Sequence, residues 1–409
     1  MKVLFVSPYF APDYASSSPM YAAMAEDLAR AGHQVTVITG MPYFGRERIW
    51  EEYRGRFLVR EAMSGYRVIR VYTSVPRRTS VFARLISWEL FDFLAFAVGL
   101  AIERHDVLFI PSPFLGAWLC VHLLSRLKRM RVIYSVEDIY PDVAVRQKRI
   151  NSGWQARVVE WFESGCYRRP WRIRVLSEGM RQVLISKRVP ANKIVTLPFF
   201  ADTDFVRPLP RNNSFRERYG LDDKFIVLYA GNLGLSHGLE SVLKAAQLLQ
   251  QNPEILFVLV GEGGAKPALE ENARQLGLRN LRFLPFQPRE EVPSVLSSAD
   301  LSLVTLKSGV ENECVPSKVY WILASGRPLV ASVGKDSEIA RLTEEARCGI
   351  CVDPDHPESL AAAILQLKND PQRRHEMGQQ GREFVVEHYS RQSVAIQFNN
   401  LIESACAPT

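Results

Sequence analysis

The sequence predicts two successive α/β domains, each a mostly parallel sheet wrapped by helices, on three observations. Short apolar runs alternate with helix-length amphipathic stretches along the chain, the pattern of strand–helix–strand units. A proline-rich passage, "TLPFFADTDFVRPLPRNNSF" (Thr196–Phe215), interrupts the alternation, which then starts again. A length of 409 residues, 47% apolar and 23% charged, suits a globular chain of two or three domains.

In chain order, the candidate strands of the first half are Val3–Ser7, Gln34–Thr39, Val68–Tyr72, Val107–Ile110 and Arg131–Tyr134. Met20–Ala31 and Leu115–Arg129 read as helices between them. In the second half the strands are Phe225–Ala230, Leu256–Val260, Leu281–Phe283, Leu301–Thr305 and Leu329–Ser332. The expected domains are residues 1–200 and 201–380, with 381–409 as closing helices that pack back toward the first domain. The opening "MKVLFVSPYF" reads as a buried strand and not as a secretion signal.

The net charge of +7 is unevenly spread, +12 over residues 1–200 and −5 over 201–409. A basic first half suits an anionic partner, either a membrane surface or a phosphorylated lipid. No nucleic-acid-binding motif accompanies the charge, so nucleic acid is not an expected partner. Six scattered cysteines form no disulfide framework, which points to a reducing cytoplasm. Cys348 and Cys351 have the spacing of a redox or zinc pair, but without companions they read as two small buried residues. Asp202-Thr-Asp204 imitates a metal signature, and its proline-flanked setting favours a turn.

Three loops could carry chemistry, since ligands of open α/β sheets bind beyond the carboxyl ends of the strands. In "YAGNLGLSHGLESVL" a strand ends at Ala230, Gly231 and Gly234 allow close backbone approach, and a helix starts near Gly238. Glycines at such turns are also common for steric reasons alone. In "ENECVPSKVYWILASGRP" a short helix starts at Pro316 or Ser317 and ends before Gly326, with Lys318 adding charge and Glu313 in the preceding loop. A helix cap beside a solvated glutamate is the plainer alternative. In "SPYFAPDYASSSPMYAAMAEDLARAGHQ" the run Ser16-Ser17-Ser18 leads into a helix, and its hydroxyls either face a ligand or simply cap the helix.

Together these loops resemble the family 4 glycosyltransferases, retaining enzymes of the GT-B fold, in which two Rossmann-like domains face each other across a cleft. "ARAGHQVTVITGMPYFGRERIW", "FRERYGLDDKFIVLYAGNLGLSHGLESVLKAAQLL", "VPSKVYWILASGRPLVAS" and "CGICVDPDHPESLAAAI" follow the family's order over nearly the whole chain. "TGMPYF" and "GNLGLSHGLE" are most similar to the branch acting in capsule, O-antigen and colanic-acid assembly.

The resemblance implies a nucleotide-sugar donor, UDP- or GDP-linked, held mainly by the second domain. It implies an acceptor held by the first, with no metal and no cofactor. Glu313 matches the first glutamate of the family's two-glutamate motif, on the donor sugar. Gly231, Asn232, Gly234, His237 and Gly238 match the phosphate-side loop. Asn312, Cys314, Val315, Pro316 and Ser317 flank the diphosphate, with Lys318 and Lys307 close by. Ser16, Ser17 and Ser18 match a loop, usually rich in glycine, that closes over the phosphates. Asp138 matches an acidic position facing the acceptor, and Glu137 stands just before it.

Three departures bear on activity. Trp321 replaces the second glutamate, either packing along the nucleoside or turning into the core. Asn232 and His237 stand where many members carry Arg and Lys, so two positive charges near the diphosphate are missing. A protonated His237, Lys318 and Lys307 are the expected replacements. Serines stand in the first loop where glycines are usual.

The implied reaction is transfer with retention, in which the departing phosphate takes the acceptor's proton. The acceptor suited to the basic half is a polyprenyl-diphosphate-linked glycan at the inner membrane face. Arg77–Asp106 reads either as a core helix or as a surface lying on lipid through Arg77, Arg78 and Arg84. Glu89 and Asp92 argue against a membrane span. Rival readings are a sugar-nucleotide epimerase of the same fold and a catalytically impaired scaffold. A dehydrogenase lacks its Gly-X-Gly-X-X-Gly after the first strand.

Overall fold

The computed structural model describes residues 1–13, 17–43, 48–76, 81–112, 117–139, 153–309 and 315–405, with the main chain alone at 81, 82, 84, 155 and 156. It divides into two compact units, Met1–Pro198 with Val394–Thr409, and Phe199–Ser393.

The first unit is built on β1 (Lys2–Ser7), β2 (Gln34–Gly40), β3 (Leu58–Met63), β4 (Tyr66–Val71), β5 (Val107–Pro111), β6 (Arg131–Val136), β7 (Arg172–Val175) and β8 (Ile194–Thr196). They pair in the order β3-β4-β2-β1-β5-β6-β7-β8, parallel except for β3 against β4. Register matches Val3 to Val35 on one side and to Val107 on the other. Val3–Val6 are all buried because helices cover both faces of a central parallel strand, so the run is apolar throughout. β3 is an edge strand, half-buried and exposed by turns, and a tight turn at Ser64-Gly65 (Gly65 φ +87°) returns it to β4. The sequence reading passed over β3, β7 and β8, which are short or broken by charge.

The helices of this unit are α1 (Ser18–Arg30), α2 (Val81–Ala101), a π-helical stretch Leu119–Leu124 that runs on into Ser125–Leu127 (together α3), α4 (Trp154–Arg168) and α5 (Glu178–Ser186). Among the described residues no helix is long and apolar enough to cross a membrane. Asp92 of α2 points inward and is fully buried.

The second unit has α6 (Ser214–Tyr219), β9 (Phe225–Ala230), α7 (Leu239–Leu248), β10 (Ile255–Val260), α8 (Lys266–Gln275), β11 (Leu281–Leu284), α9 (Val292–Ser297), β12 (Leu301–Thr305), α10 (Lys318–Ala324), β13 (Leu329–Ser332), α11 (Glu338–Glu345), β14 (Gly349–Val352), α12 (Pro357–Asn369) and α13 (Pro371–His388). Its sheet runs β11-β10-β9-β12-β13-β14, parallel throughout. Strand order therefore reverses between β9 and β12, as it does between β1 and β5 in the first unit. Such reversals open a crevice at the carboxyl ends of the strands.

Two expectations are corrected. The closing helices start at Pro371, not at 381, and α13 stays with the second unit. Gly378 seats it there, since a Cβ at that position would fall 2.2 Å from the Gly326 carbonyl oxygen. Only the last helix, α14 (Arg391–Ser404), counts with the first unit from Val394 onward; its Phe398 meets Phe109 edge-on at 5.4 Å. The cysteine pair is not uniformly buried: Cys348 is, whereas Cys351 is exposed on β14. Asp202 makes the expected turn, its carboxylate accepting the Phe205 amide at 3.0 Å.

Candidate active site

In the second unit the chain after β9 turns sharply at Gly231, whose φ of +139° only glycine adopts readily. Its amide donates to the Val260 carbonyl at 2.9 Å, and a Cβ there would lie 3.2 Å from Lys318 Nζ. Two loops that were separate in sequence thus meet. Gly238, the N-cap of α7 at φ +61°, leaves room for the backbone of Leu306 and Lys307. The Lys307 amide donates to the Ser236 carbonyl at 2.9 Å, and Thr305 Oγ1 donates to the His237 carbonyl. Those bonds join the ends of β9 and β12 across the reversal of strand order.

Lys318 is the electrostatic centre of this site. Its Nζ lies 3.6 Å from the centre of the Tyr229 ring, sealed from solvent and, among the described residues, without a hydrogen-bond partner. Burial pushes its ammonium down to about 7. The ring supplies a cation–π contact and no counter-charge.

His237 cannot supply the missing positive charge as expected. Burial, and then the charge of Lys318, push its imidazole down to about 3, and Nδ1 is buried without a partner. Lys307 is also spoken for, its Nζ pairing with Glu240 at 3.3 Å on the surface. Asn232 is exposed beside Gly234.

Trp321 does not turn into the core. Val319, Tyr320, Ile322, Leu323 and Ala324 of α10 are buried, whereas Trp321 is half-buried, edge-on to Phe205 at 6.4 Å. Its i+3 spacing from Lys318 puts the two on one side of the helix. Val315, Pro316 and Ser317 lead into α10 half-buried, and Ser317 occupies the N-cap position without a side-chain cap bond. Glu313, Asn312, Cys314 and Ser16 lie outside the described residues.

A further loop went unnoticed in the sequence. Gly261-Glu262-Gly263-Gly264 follows β10 and packs on the Gly231 turn: a Cβ on Gly261 would lie 2.0 Å from the Gly231 carbonyl oxygen. The Leu233 amide donates to the Glu262 carbonyl at 2.9 Å. Three glycines directly after an apolar run were the available signal.

The first unit gathers its own polar cluster at the ends of β1, β5, β6 and β7. Ser17 holds the N-cap position of α1 but makes no cap bond; its hydroxyl lies near the Glu137 carboxyl, whose Oε1 is buried without a hydrogen-bond partner among the described residues. Ser18 is fully buried, its hydroxyl unpartnered. Ser112 Oγ accepts the Glu137 amide at 3.0 Å and donates to the Asp138 carbonyl at 3.4 Å. Burial pushes the Glu137 carboxyl up to about 8, opposed by the charge of Arg174 and assisted by that of Asp138. Arg174 was not foreseen. It is wholly buried on β7, donating to Ser135 Oγ at 2.8 Å and to the carbonyls of Leu197 and Pro198. Glu137 is therefore a carboxylic acid at neutral pH, able to donate or accept a proton near pH 8.

Two units, each a mostly parallel sheet with its glycine turns beyond the carboxyl ends of the strands, define a doubly wound α/β class of protein, and comparison with known proteins gives its family. Residues 18–199 match the glycosyl transferase 4-like domain and residues 211–384 the glycosyl transferases group 1 domain. The chain belongs to the family 4 glycosyltransferases, with the GT-B fold. It is 29% identical over 98% of its length to a protein of Escherichia coli (strain K12), 99% of which is covered, named as the colanic acid biosynthesis glycosyl transferase WcaI. It is 30% identical over 57% of its length to alpha-D-kanosaminyltransferase of Streptomyces kanamyceticus, covering 60% of that protein. The fold matches that of Anabaena Alr3699/HepE, solved in complex with UDP, at a TM-score of 0.75 and 16% identity, covering 99% of this chain and 100% of that one.

Proposed function

We propose that this protein is a retaining glycosyltransferase that moves a sugar from a UDP- or GDP-linked donor to a growing lipid-linked glycan of the cell surface, at the inner face of the membrane. The observation that carries the reading is the Lys318 amine, sealed at the Gly231 turn with no hydrogen-bond partner among the described residues. A buried cation without a counter-ion is costly, and an arriving diphosphate converts that cost into charge-assisted hydrogen bonds.

As the glycosidic bond breaks, negative charge grows on the departing diphosphate, and a cation already in place lowers that barrier. Lys318 then stands where a divalent ion would otherwise serve. The departing phosphate takes the acceptor's proton on the same face, which retains the anomeric configuration. Glu313 holds hydroxyls of the donor sugar, and Glu137 and Asp138 meet the acceptor. The UDP complex of HepE and the naming of WcaI support the donor class and the cell-surface setting.

The test is a panel of nucleotide sugars with chelator present, following released nucleotide and the anomer formed. Turnover with retention is expected, and Glu313→Ala is expected to lower it by about 10²-fold or more with the fold intact. Near-normal turnover of that variant refutes the site, and an inverted product refutes the mechanism.

A further inference from the structure

Two neighbouring helices of the first unit each bury an acid and leave large apolar side chains in solvent, and the helix between them exposes a leucine. Helix α2 turns Asp92 inward, where its carboxylate accepts the Leu119 amide at 3.0 Å, and leaves Phe93 58% exposed. Helix α4 buries Glu163, which accepts from Tyr167 Oη at 2.8 Å, and leaves Trp154 73% and Trp161 66% exposed. Between them, α3 leaves Leu127 65% exposed. The three form one layer: a Cβ on Gly99 of α2 would lie 2.5 Å from Leu124 of α3, and one on Gly165 of α4 would lie 3.6 Å from Trp118 beside α3.

An ordinary surface helix does the reverse, facing its apolar stripe to the core and its charges to water. Trp154, Val158 and Trp161 recur at i, i+4 and i+7, so they form one outward stripe, and Arg157 and Arg168 share that side. Of the outward acids, Glu160 is paired with Lys187 at 3.7 Å, and Glu89 stands on α2. The half of the chain that carries this layer bears a formal charge of +12. Tryptophans with arginines beside them on an exposed apolar face suit a lipid interface, where the indole sits at headgroup level and the guanidinium meets phosphate.

We propose that the exposed stripe Trp154, Val158 and Trp161 of α4, in the same layer as the exposed Phe93 of α2 and Leu127 of α3, docks on an anionic lipid bilayer. This places the membrane contact on α4 as well as on α2. It rests on the lipid-linked-acceptor reading for its purpose, while docking itself is measured apart from turnover.

The experiment sediments the full-length protein with vesicles of phosphatidylcholine plus phosphatidylglycerol, and with phosphatidylcholine alone, at low salt. Brominated lipid reports tryptophan depth. The wild type is expected to bind the anionic vesicles with quenching. The double substitution Trp154→Ser with Trp161→Ser is expected to weaken partitioning about tenfold or more. UDP binding and circular dichroism should stay unchanged, both sites being exposed. Arg157→Gln with Arg168→Gln should weaken binding and flatten its salt dependence. A wild type that stays in the supernatant, or a double tryptophan variant that sediments like it, overturns the proposal. So do lipid-free dimers that the tryptophan substitutions dissolve, or binding that requires membrane proteins in the vesicles. Failure of docking with UDP binding intact leaves the donor-site reading standing; loss of UDP binding in the wild type would sink that reading alone.

Discussion

Lys318 in the second unit and Glu137 in the first occupy corresponding places, each at the carboxyl ends of strands near a reversal of strand order. Burial drives both toward neutrality, the lysine down to about 7 and the glutamic acid up to about 8. Their surroundings differ. Glu137 has the Ser17 hydroxyl and the charge of Arg174 beside its carboxyl and Ser112 on its amide, while its Oε1 is buried without a hydrogen-bond partner among the described residues. Lys318 has an aromatic ring and glycine backbone beside it and, among the described residues, no hydrogen-bond partner. The first site is a polar cluster with a buried cation beside its acid, suited to placing a proton. The second is an amine held without a polar partner, suited to gaining a proton together with an anion that comes and goes.

Replacing Lys318 by Met should break this contrast most severely. Volume is roughly kept, so the protein should fold, while kcat/KM falls by about 10²–10³-fold. Calorimetry sharpens the point. In the wild type a bound diphosphate raises the lysine's pKa, so UDP binding at pH 8 should take up a proton, seen as a heat that varies with the buffer. The Met variant should show no such uptake, and equal heats in the wild type would remove Lys318 from the diphosphate.

Next in size is Gly231→Ala. A φ of +139° strains any side-chain-bearing residue, and the new methyl would press on Lys318. About 1–3 kcal/mol of stability should be lost, with weaker UDP binding, measured by denaturant titration and calorimetry. Unchanged values would mean that the turn relaxes freely.

The smallest effect separates the two groups by pH. The Glu137 carboxyl has a folded pKa above its unfolded one, so the native state holds the extra proton. Stability therefore falls as pH rises from about 4.5 through 8. Glu137→Gln should flatten that slope and gain about 1–2 kcal/mol above pH 8. For Lys318 the folded pKa lies below the unfolded one, so its burial cost is full below pH 7 and fades toward pH 10.5. Lys318→Met should accordingly stabilise on the acid side, in the opposite window, and thermal melts across pH decide between these signs.

Much of the fold was legible because buried parallel strands are apolar without interruption. Phe225–Ala230, Leu301–Thr305 and Leu329–Ser332 were each placed without error in either end. The strands Leu58–Met63 and Arg172–Val175 escaped because an edge position and a buried arginine break that pattern. In the site, glycine at Gly231 and Gly238 announced turns that a Cβ would obstruct. The state of His237 was not legible, because its neutrality depends first on burial under the packed fold and then on the charge of a lysine more than eighty residues away in the chain.

By itself, then, the sequence determined the two α/β halves, the glycine turn after β9 and the helix opened by Pro316-Ser317, since these follow from local backbone chemistry and apolar runs. Only the tertiary structure decided that Lys318 lies sealed over Tyr229, that Arg174 and Ser17 frame Glu137, and that Trp154 and Trp161 face outward. Parallel register joins residues far apart in the chain, and burial and charge at a point depend on everything packed around it.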